Sequence, residues 1–342
     1  MTAATAGDGS AARDGGPNGG ATGDTAAVLA SAEVVSIPLR HRFRGILQRE
    51  GVLLRGPAGW GEFAPFREYS DADCVPWLRA ALEAAQDGWP APVRDRFEVN
   101  AIVPVLDPDR AAALVAASGC RTAKVKVAEP GVPLSADAER VAAVRQALGT
   151  SGRIRVDANG AWTEDAAVAA IRVLDRAAGQ LEYVEQPCRS IPELAAVRRR
   201  VDVAVAADES IRRERDPLEV VRADAADIAV VKVAPLGGVR AALRIAEQTG
   251  LPVVVSSAVD TAVGLAAGAA LAGALPELPF ACGLGTGSLL AADVSSAAVR
   301  PDAGRLPVPR AAPEPDLRSR VVADLATRRW WLGRLARVAA LL

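Results

Sequence analysis

The sequence predicts an α/β protein, a closed eight-stranded β/α barrel preceded by a smaller α+β unit. Two observations carry that expectation. From Val99 to Gly283 short apolar runs alternate with alanine-rich stretches of helical spacing, the pattern of parallel strands covered by helices. Eight such runs over about 190 residues favour a closed barrel over an open sheet. The stretch ahead of them has a different texture, with short alternating runs and one amphipathic segment.

Residues 1–30 are almost entirely Ala, Thr, Gly, Asp, Ser, Pro and Asn. Such a segment cannot bury enough apolar surface to offset the entropy of ordering, so a disordered tail is expected. Residues 31–97 are expected to form the α+β unit, with antiparallel strands at Glu33–Ile37, Gly51–Arg55 and Trp60–Phe63 and a helix over Asp71–Gln86. The barrel is expected over 98–295. Its strand runs are Val99–Val105, Thr122–Val127, Ile154–Asp157, Tyr183–Glu185, Val203–Asp208, Ile228–Val233, Pro252–Ser256 and Pro279–Gly283. Helical spacing fills Asp137–Leu148, Glu164–Ala177 and Val239–Gln248, and the alanine-rich stretch Ala258–Leu275 reads as a buried helix of a soluble protein. Residues 296–342 are Pro-rich and end in a basic amphipathic helix, Arg328–Leu342, expected to pack back on the α+β unit rather than on a membrane surface.

Composition narrows the chemistry. The 342 residues carry 41 acids and 40 bases, a net charge of −1, which leaves no electrostatic footprint for nucleic acid. The single histidine, His41, cannot build a multi-histidine zinc site. Cys74, Cys120, Cys188 and Cys282 are scattered without a C-x-x-C pair and read as buried thiols of a reducing compartment. The chain opens with no basic segment followed by an apolar one, so a cytoplasmic enzyme is expected. The only lysines are Lys124, Lys126 and Lys232, against 37 arginines. Where a surface charge suffices this chain uses arginine, so three retained lysines need a chemical reason.

That reason is visible in their placement. Successive strand runs end in Lys124-Val-Lys126, Asp157-Ala-Asn159, Glu185-Gln-Pro187 and Asp208-Glu-Ser210, and the next holds Lys232, at steps of 23 to 31 residues. Each step is about one β/α unit, so five neighbouring strands bring charged groups to equivalent places near their C-terminal ends, where barrels gather catalytic residues. Lys124 and Lys126 share one side of their strand. Asp157, Glu185 and Asp208 can converge, and burying three carboxylates uncompensated would be costly. A divalent cation removes that cost. An all-oxygen set without histidine points to Mg²⁺, with Mn²⁺ also compatible, and away from zinc. A lone Asp at a strand end is commonly a helix cap, and a lone Lys commonly reaches to water, but here every lysine of the chain flanks the three carboxylates in order. Lysine is required where arginine fails because its ammonium can lose a proton.

The segments TAKVKV, DANGAW, EQP, ADES, VVKVAPLGG, SSAVDTAVG and ACGLGTGSLL resemble the enolase superfamily, muconate-lactonizing subgroup, and within it the actinobacterial dehydratases that form o-succinylbenzoate. The resemblance spans roughly residues 33 to 295. It implies a (β/α)7β TIM-like barrel with an N-terminal α+β capping domain, Lys126 and Lys232 as catalytic residues, and Asp157, Glu185 and Asp208 as metal ligands. The implied reaction is syn-dehydration of 2-succinyl-6-hydroxy-2,4-cyclohexadiene-1-carboxylate in menaquinone biosynthesis, with lysine acid/base chemistry. Candidate substrate contacts are Lys124, Asn159, Ser256, Ser257, Gly283 and Gly285, since backbone N–H groups after the last two strands can cradle a carboxylate. The segments His41-Arg-Phe-Arg44 and Trp60-Gly-Glu-Phe63 are expected over the mouth.

The partner expected is therefore a small-molecule carboxylate, with no nucleic acid and no membrane, whether the chain acts as a monomer or a homo-oligomer. Two other readings compete. An N-succinylamino acid racemase or dipeptide epimerase of the same superfamily would use the same lysines and metal, but the Asp-x-Asp element usual in epimerases is replaced by Ser256-Ser257-Ala258. A noncatalytic anion-binding barrel would not need every lysine and ligand retained.

Overall fold

The computed structural model describes residues 20–43, 45–212, 217–296, 301–317 and 321–342. Its N-terminal unit is a meander of β1 (Glu33–Phe43), β2 (Ile46–Gly56) and β3 (Gly59–Phe63), paired antiparallel in that order. Along β1, Val35, Ile37 and Leu39 are buried on one face, separated by half-buried Ser36 and exposed Pro38, and Val34 is buried on the other. The sheet is covered on both faces: Val34, Val52, Leu54 and Phe63 pack with the helix Val75–Gln86 and the C-terminal segment, and Val35, Ile37, Leu39 and Leu53 pack with the barrel. Two helices belong to this unit, α1 (Gly20–Ala30) and α2 (Val75–Gln86). The expected tail is corrected at its end: residues 20–30 are helical because Val28 is buried in the cluster of Val34, Val52 and Leu82. Residues 1–19 lie outside the described residues.

Next come β4 (Arg96–Glu98) and β5 (Ala101–Val103), then α3 (Pro108–Ser118), β6 (Thr122–Lys126), α4 (Leu134–Leu148), β7 (Arg153–Asp157), α5 (Glu164–Ala178), β8 (Tyr183–Glu185), α6 (Ile191–Arg198) and β9 (Val205–Ala207). Short helices α7 (Glu209–Arg212), α8 (Glu219–Arg222) and α9 (Val233–Leu236) lie around β10 (Ile228–Lys232). After them come α10 (Val239–Thr249), β11 (Val253–Ser256), α11 (Ala262–Ala274), β12 (Arg305–Pro307) and α12 (Leu325–Ala339). Local signals explain the boundaries. Asp107 accepts from Arg110 N ahead of Pro108, and Ser190 with Glu193 forms a capping box on α6.

Strands β5 to β11 form one seven-stranded sheet, each hydrogen-bonded to its neighbour in chain order and parallel throughout. The expected eighth strand, Pro279–Gly283, is reduced to two isolated bridges, Val99↔Cys282 and Ser256↔Gly283. Those two residues stand between the edges of the sheet and close the ring, a TIM-like barrel. The pairing stops there because the chain turns at once into a 3₁₀ turn over Gly285–Leu289. At Gly283 a Cβ would lie 2.6 Å from Ser256 Oγ, so the absence of a side chain lets this run close against β11. Apolar residues between sheet and helices form the main core, while Tyr183, Ala206, Ile228, Val230 and Val254 fill the barrel.

The N-terminal unit caps the barrel and is fastened to it by two carboxylates. Glu62 of β3 accepts from Thr261 N at 3.1 Å and from Gly264 N at 2.9 Å, at the start of α11. Glu83 of α2 accepts from Val239 N at 2.6 Å and Arg240 N at 3.1 Å, at the start of α10. Acids at helix N-termini satisfy donors that have no intrahelical partner and meet the positive end of the dipole. The C-terminal helix packs on the same unit: Trp331, Leu335 and Val338 join Phe63, Trp77 and Leu78, and Arg337 pairs with Asp71 at 2.6 Å. Among the described residues no helix is long and apolar enough to cross a membrane.

Candidate active site

Register places the charged strand ends in one layer. Lys126 is level with Asp157, Asp157 with Glu185, and Lys232 with Ser256, while Asp208 follows the end of β9. On β6, Val125 is buried toward the helices, which sends Lys124 and Lys126 into the barrel mouth. Asp157 and Glu185 are 1% and 0% exposed, Asp208 1%, Lys124 6% and Lys232 7%. Six charges thus occupy one nearly dry layer.

Each lysine lies closest to one carboxylate, and Lys124 also reaches Asp157 Oδ2 at 3.5 Å. Lys124 Nζ lies 2.8 Å from both oxygens of Glu185, Lys126 Nζ 2.5 Å from Asp157 Oδ2, and Lys232 Nζ 2.6 Å from Asp208 Oδ2. Lys126 also donates to Asn159 Oδ1 at 2.6 Å. Burial pushes the Glu185 carboxyl up, and the charges of Asp157 and Asp208 add to it against Lys124 and Lys232, to about 7. Burial acts upward on Asp157 as well, but the charges of Lys126 and Lys124 outweigh it and hold that carboxyl below the ordinary range. Lys124 is held above the usual amine range, since Glu185 and Asp157 outweigh the burial that would lower it.

The sequence expectation of three converging carboxylates needs qualifying. Among the described residues no three acidic, thiol or imidazole side chains are grouped closely enough to hold an ion as they stand, because each of these carboxylates turns to a lysine. The donor set nevertheless fits a divalent cation. It offers only carboxylate oxygens, and the three lie near enough to raise one another's pKa, a repulsion that an added positive charge relieves.

Local structure fixes each position. Asn159, at φ 48°, donates its N–H to Asp157 Oδ1 at 3.0 Å, a turn that orients the carboxylate. Gln186 was not singled out from the sequence. Its Oε1 accepts from Asp208 N and Ser210 N, and its Nε2 donates to Ser210 Oγ, so the residue after Glu185 fastens the strand that carries Asp208. The signal was its place beside Glu185 at a buried strand end, where an uncharged amide serves only as a fastener.

Lys124, Lys126, Lys232, Asp157, Asn159, Ser256 and Ser257 surround a common cavity of about 20 Å³, together with Phe43, Ile102, Val259 and Thr286. That is room for about one water. Phe43 of β1 stands over Lys126, the ammonium 5.2 Å from its ring centre. A ring-sized molecule exceeds this volume, so residues lining the cavity must shift to admit one. Of the expected substrate contacts, Gly283 backs Ser256 in the barrel wall, and the structure does not bring Gly285 to the lysines. Gly285 lies against Asn100 and opens on a separate cavity of about 700 Å³ together with His41, and Thr286 takes its place beside Ser257. Trp60 packs between cap and barrel and reaches Glu314. Arg44 lies outside the described residues.

Comparison with known proteins agrees with this geometry. The family described as Enolase N-terminal domain-like matches residues 34–85, and Enolase C-terminal domain-like matches residues 108–313. The o-succinylbenzoate synthase of Thermobifida fusca (strain YX) is 60% identical over 305 residues, covering 89% of this chain and 95% of that protein. The o-succinylbenzoate synthase of Mycolicibacterium smegmatis is 52% identical over 316 residues, with 92% and 97% covered. Among solved structures, the L-Ala-D/L-Glu epimerase from Bacillus subtilis is similar at a TM-score of 0.71 and 24% identity, over 81% of this chain and 95% of that one. Muconate lactonizing enzyme from Pseudomonas putida is similar at a TM-score of 0.66 and 21% identity, over 81% and 93%. These two likenesses concern the fold.

Proposed function

The chain belongs to the o-succinylbenzoate synthases of the enolase superfamily, and from that premise we propose how its own residues carry out the dehydration. The substrate is 2-succinyl-6-hydroxy-2,4-cyclohexadiene-1-carboxylate, and the products are o-succinylbenzoate and water. The observation that carries the assignment of roles is the layer of three lysines and three carboxylates, in which Lys126 and Lys232 approach from different strands.

Lys126, as the neutral amine, takes the proton from the carbon bearing the ring carboxylate, and the electron pair passes into that carboxylate as an enediolate. Asp157 and Asn159 hold the Lys126 nitrogen in place. Lys232, on the opposite side, keeps its proton and offsets the growing negative charge. The enediolate electrons then return to the ring, the bond to the 6-hydroxyl breaks on the same face, and Lys126 hands its proton to that oxygen, releasing water and an aromatic ring. Lys124 holds Glu185 through both of its oxygens and offsets part of its charge. Asp157, Glu185 and Asp208 would hold Mg²⁺, or Mn²⁺ in its place. That ion, when bound, supplies positive charge to the oxygens on which negative charge develops. Asn159, Ser256, Ser257 and the backbone at Gly283 are the proposed substrate contacts; Gly285 is proposed to act only through the turn that presents Thr286.

We also read residues 31–97 as the cap over the mouth, 98–295 as the catalytic barrel and 296–342 as the segment that braces the cap. A cytoplasmic site of action is supported by four free, buried thiols. The racemase reading is not favoured, because relatives at 52% to 60% identity are synthases by name. The deciding assay follows the ultraviolet absorbance of the aromatic product with Mg²⁺ present, beside racemisation of an N-succinyl amino acid. Efficient product formation is expected. Racemisation without aromatic product would overturn the proposal.

A further inference from the structure

The wall of the cavity is set from outside the barrel. Between β11 and α11 the chain runs Ser257-Ala258-Val259-Asp260-Thr261, and Val259 has φ 63°. For a β-branched residue that is a genuine outlier, which persists only where surrounding structure over-determines it. Val259 lines the lysine cavity with Ser256 and Ser257, so the strained peptide faces the site.

What over-determines it is the cap. Arg49 of β2 is 2% exposed, and its Nε donates to Val259 O at 2.9 Å. Its Nη2 donates to Ala64 O at 2.5 Å and lies 3.7 Å from Asp260 Oδ1. Asp260 Oδ2 in turn accepts from Ala258 N at 3.1 Å, so the loop is held at the carbonyl of the strained residue and again at the N–H of the residue before it. Glu62 takes the far end of the loop through Thr261 and Gly264. A buried arginine that bridges the cap backbone to the carbonyl of a left-handed valine has a task beyond charge balance. Its planar fork, which lysine lacks, reaches several fixed acceptors at once.

We propose that Arg49 is a positioning residue: from the cap, and without touching the reacting atoms, it holds the Ser257–Asp260 loop in its strained form and so sets the fit of the substrate's carboxylate groups. This inference rests on the synthase reading above. It predicts that loss of Arg49 acts on KM more than on kcat, and that the loss is conditional on the strain. Glycine enters the left-handed region freely, so Val259→Gly should free the loop from its need for Arg49.

The experiment measures kcat and KM for aromatic product formation in wild type, Arg49→Met, Val259→Gly and the double variant. Expected are a KM raised about tenfold or more in Arg49→Met with kcat within about threefold, and, measured against Val259→Gly alone, a rise on adding Arg49→Met that is at most half as large on a logarithmic scale. If Arg49→Met does not fold, Arg49→Lys, which keeps a charge facing Asp260 and Glu62, is read by the same criteria alone and with Val259→Gly. An unmoved KM in the folded Arg49 variant, or an Arg49 effect that Val259→Gly does not reduce, overturns the proposal. An inactive wild type overturns the synthase reading, and this inference with it.

Discussion

Replacing Lys126 by arginine separates charge from basicity. The ammonium now sits 2.5 Å from Asp157 Oδ2 and 2.6 Å from Asn159 Oδ1, under the Phe43 ring. A guanidinium can serve both acceptors with its fork and stack on the aromatic face, so Asp157 keeps a cationic partner and the fold keeps its pairing. Only the removable proton is lost, since arginine stays protonated in proteins. Proton transfer by a positioned group contributes about 10²- to 10⁴-fold, or roughly 3–5 kcal/mol of barrier at ~1.4 kcal/mol per tenfold. The variant should therefore lose at least about a hundredfold in kcat while its urea midpoint changes by less than the equivalent of about 1 kcal/mol. Turnover is read from the absorbance of the aromatic product, and Mg²⁺ affinity by titration calorimetry. Retention of more than about a tenth of wild-type kcat would refute Lys126 as the base. Collapse of ion binding would refute the premise that the substitution spares the carboxylates.

Three further outcomes follow from the structure. Trp331→Ala removes a side chain 1% exposed that donates to Glu50 at 2.9 Å and packs edge-on 6.1 Å from Phe63; it should cost ~3–5 kcal/mol in urea unfolding, and a loss under about 1 kcal/mol would mean that α12 does not brace the cap. Burial first, then the Asp260 charge, push Glu62 up from 4.5 to about 7 against Arg49 and the Thr261 hydrogen bonds. The neutral form's contribution to stability is complete below the unfolded value and fades as pH rises through about 7, so unfolding free energy should fall by up to ~3 kcal/mol across that window. Glu62→Gln should flatten that slope, and an unchanged slope in the variant would refute the assignment. Mg²⁺ should raise the melting temperature with a logarithmic dependence on concentration, about 2.7 kcal/mol at a hundredfold excess over Kd, and Asp208→Asn should abolish most of that response in a thermal shift series.

The barrel and its charged layer were legible because both repeat. One β/α unit after another brings an ionisable residue to a strand end, and a period of that kind survives without knowledge of packing. Other features lacked a local signal. Helix α1 contributes one buried valine and a half-buried Leu29 to the cap core, too little for a composition argument to detect. Glu62 reads as an ordinary strand residue until Thr261, 199 positions later, is found against it, and Arg49 is one arginine among 37 until Val259 is seen to need it. The last strand run was apolar enough to read as a strand, yet it pairs only at Cys282 and Gly283, since ring closure is set by the gap between two edges. The convergence of carboxylates was drawn from strand order alone, which leaves out the lysines' own reach across the mouth.

The placement of the lysines also makes the protein unusually addressable by reagents. Every side-chain amine of the chain lies in the buried charged layer, with Lys124 6% and Lys232 7% exposed and the Lys126 side chain 13%, while the remaining basic side chains are guanidinium groups and one imidazole. An aldehyde with borohydride, or an activated ester, thus finds no decoy among surface side chains. Modification of a side-chain amine is by its nature modification of the candidate active site, and its rate reports reagent access to that layer. Mass spectrometry that maps the label to Lys124, Lys126 or Lys232 can therefore follow access to this layer without a substrate or a coupled assay.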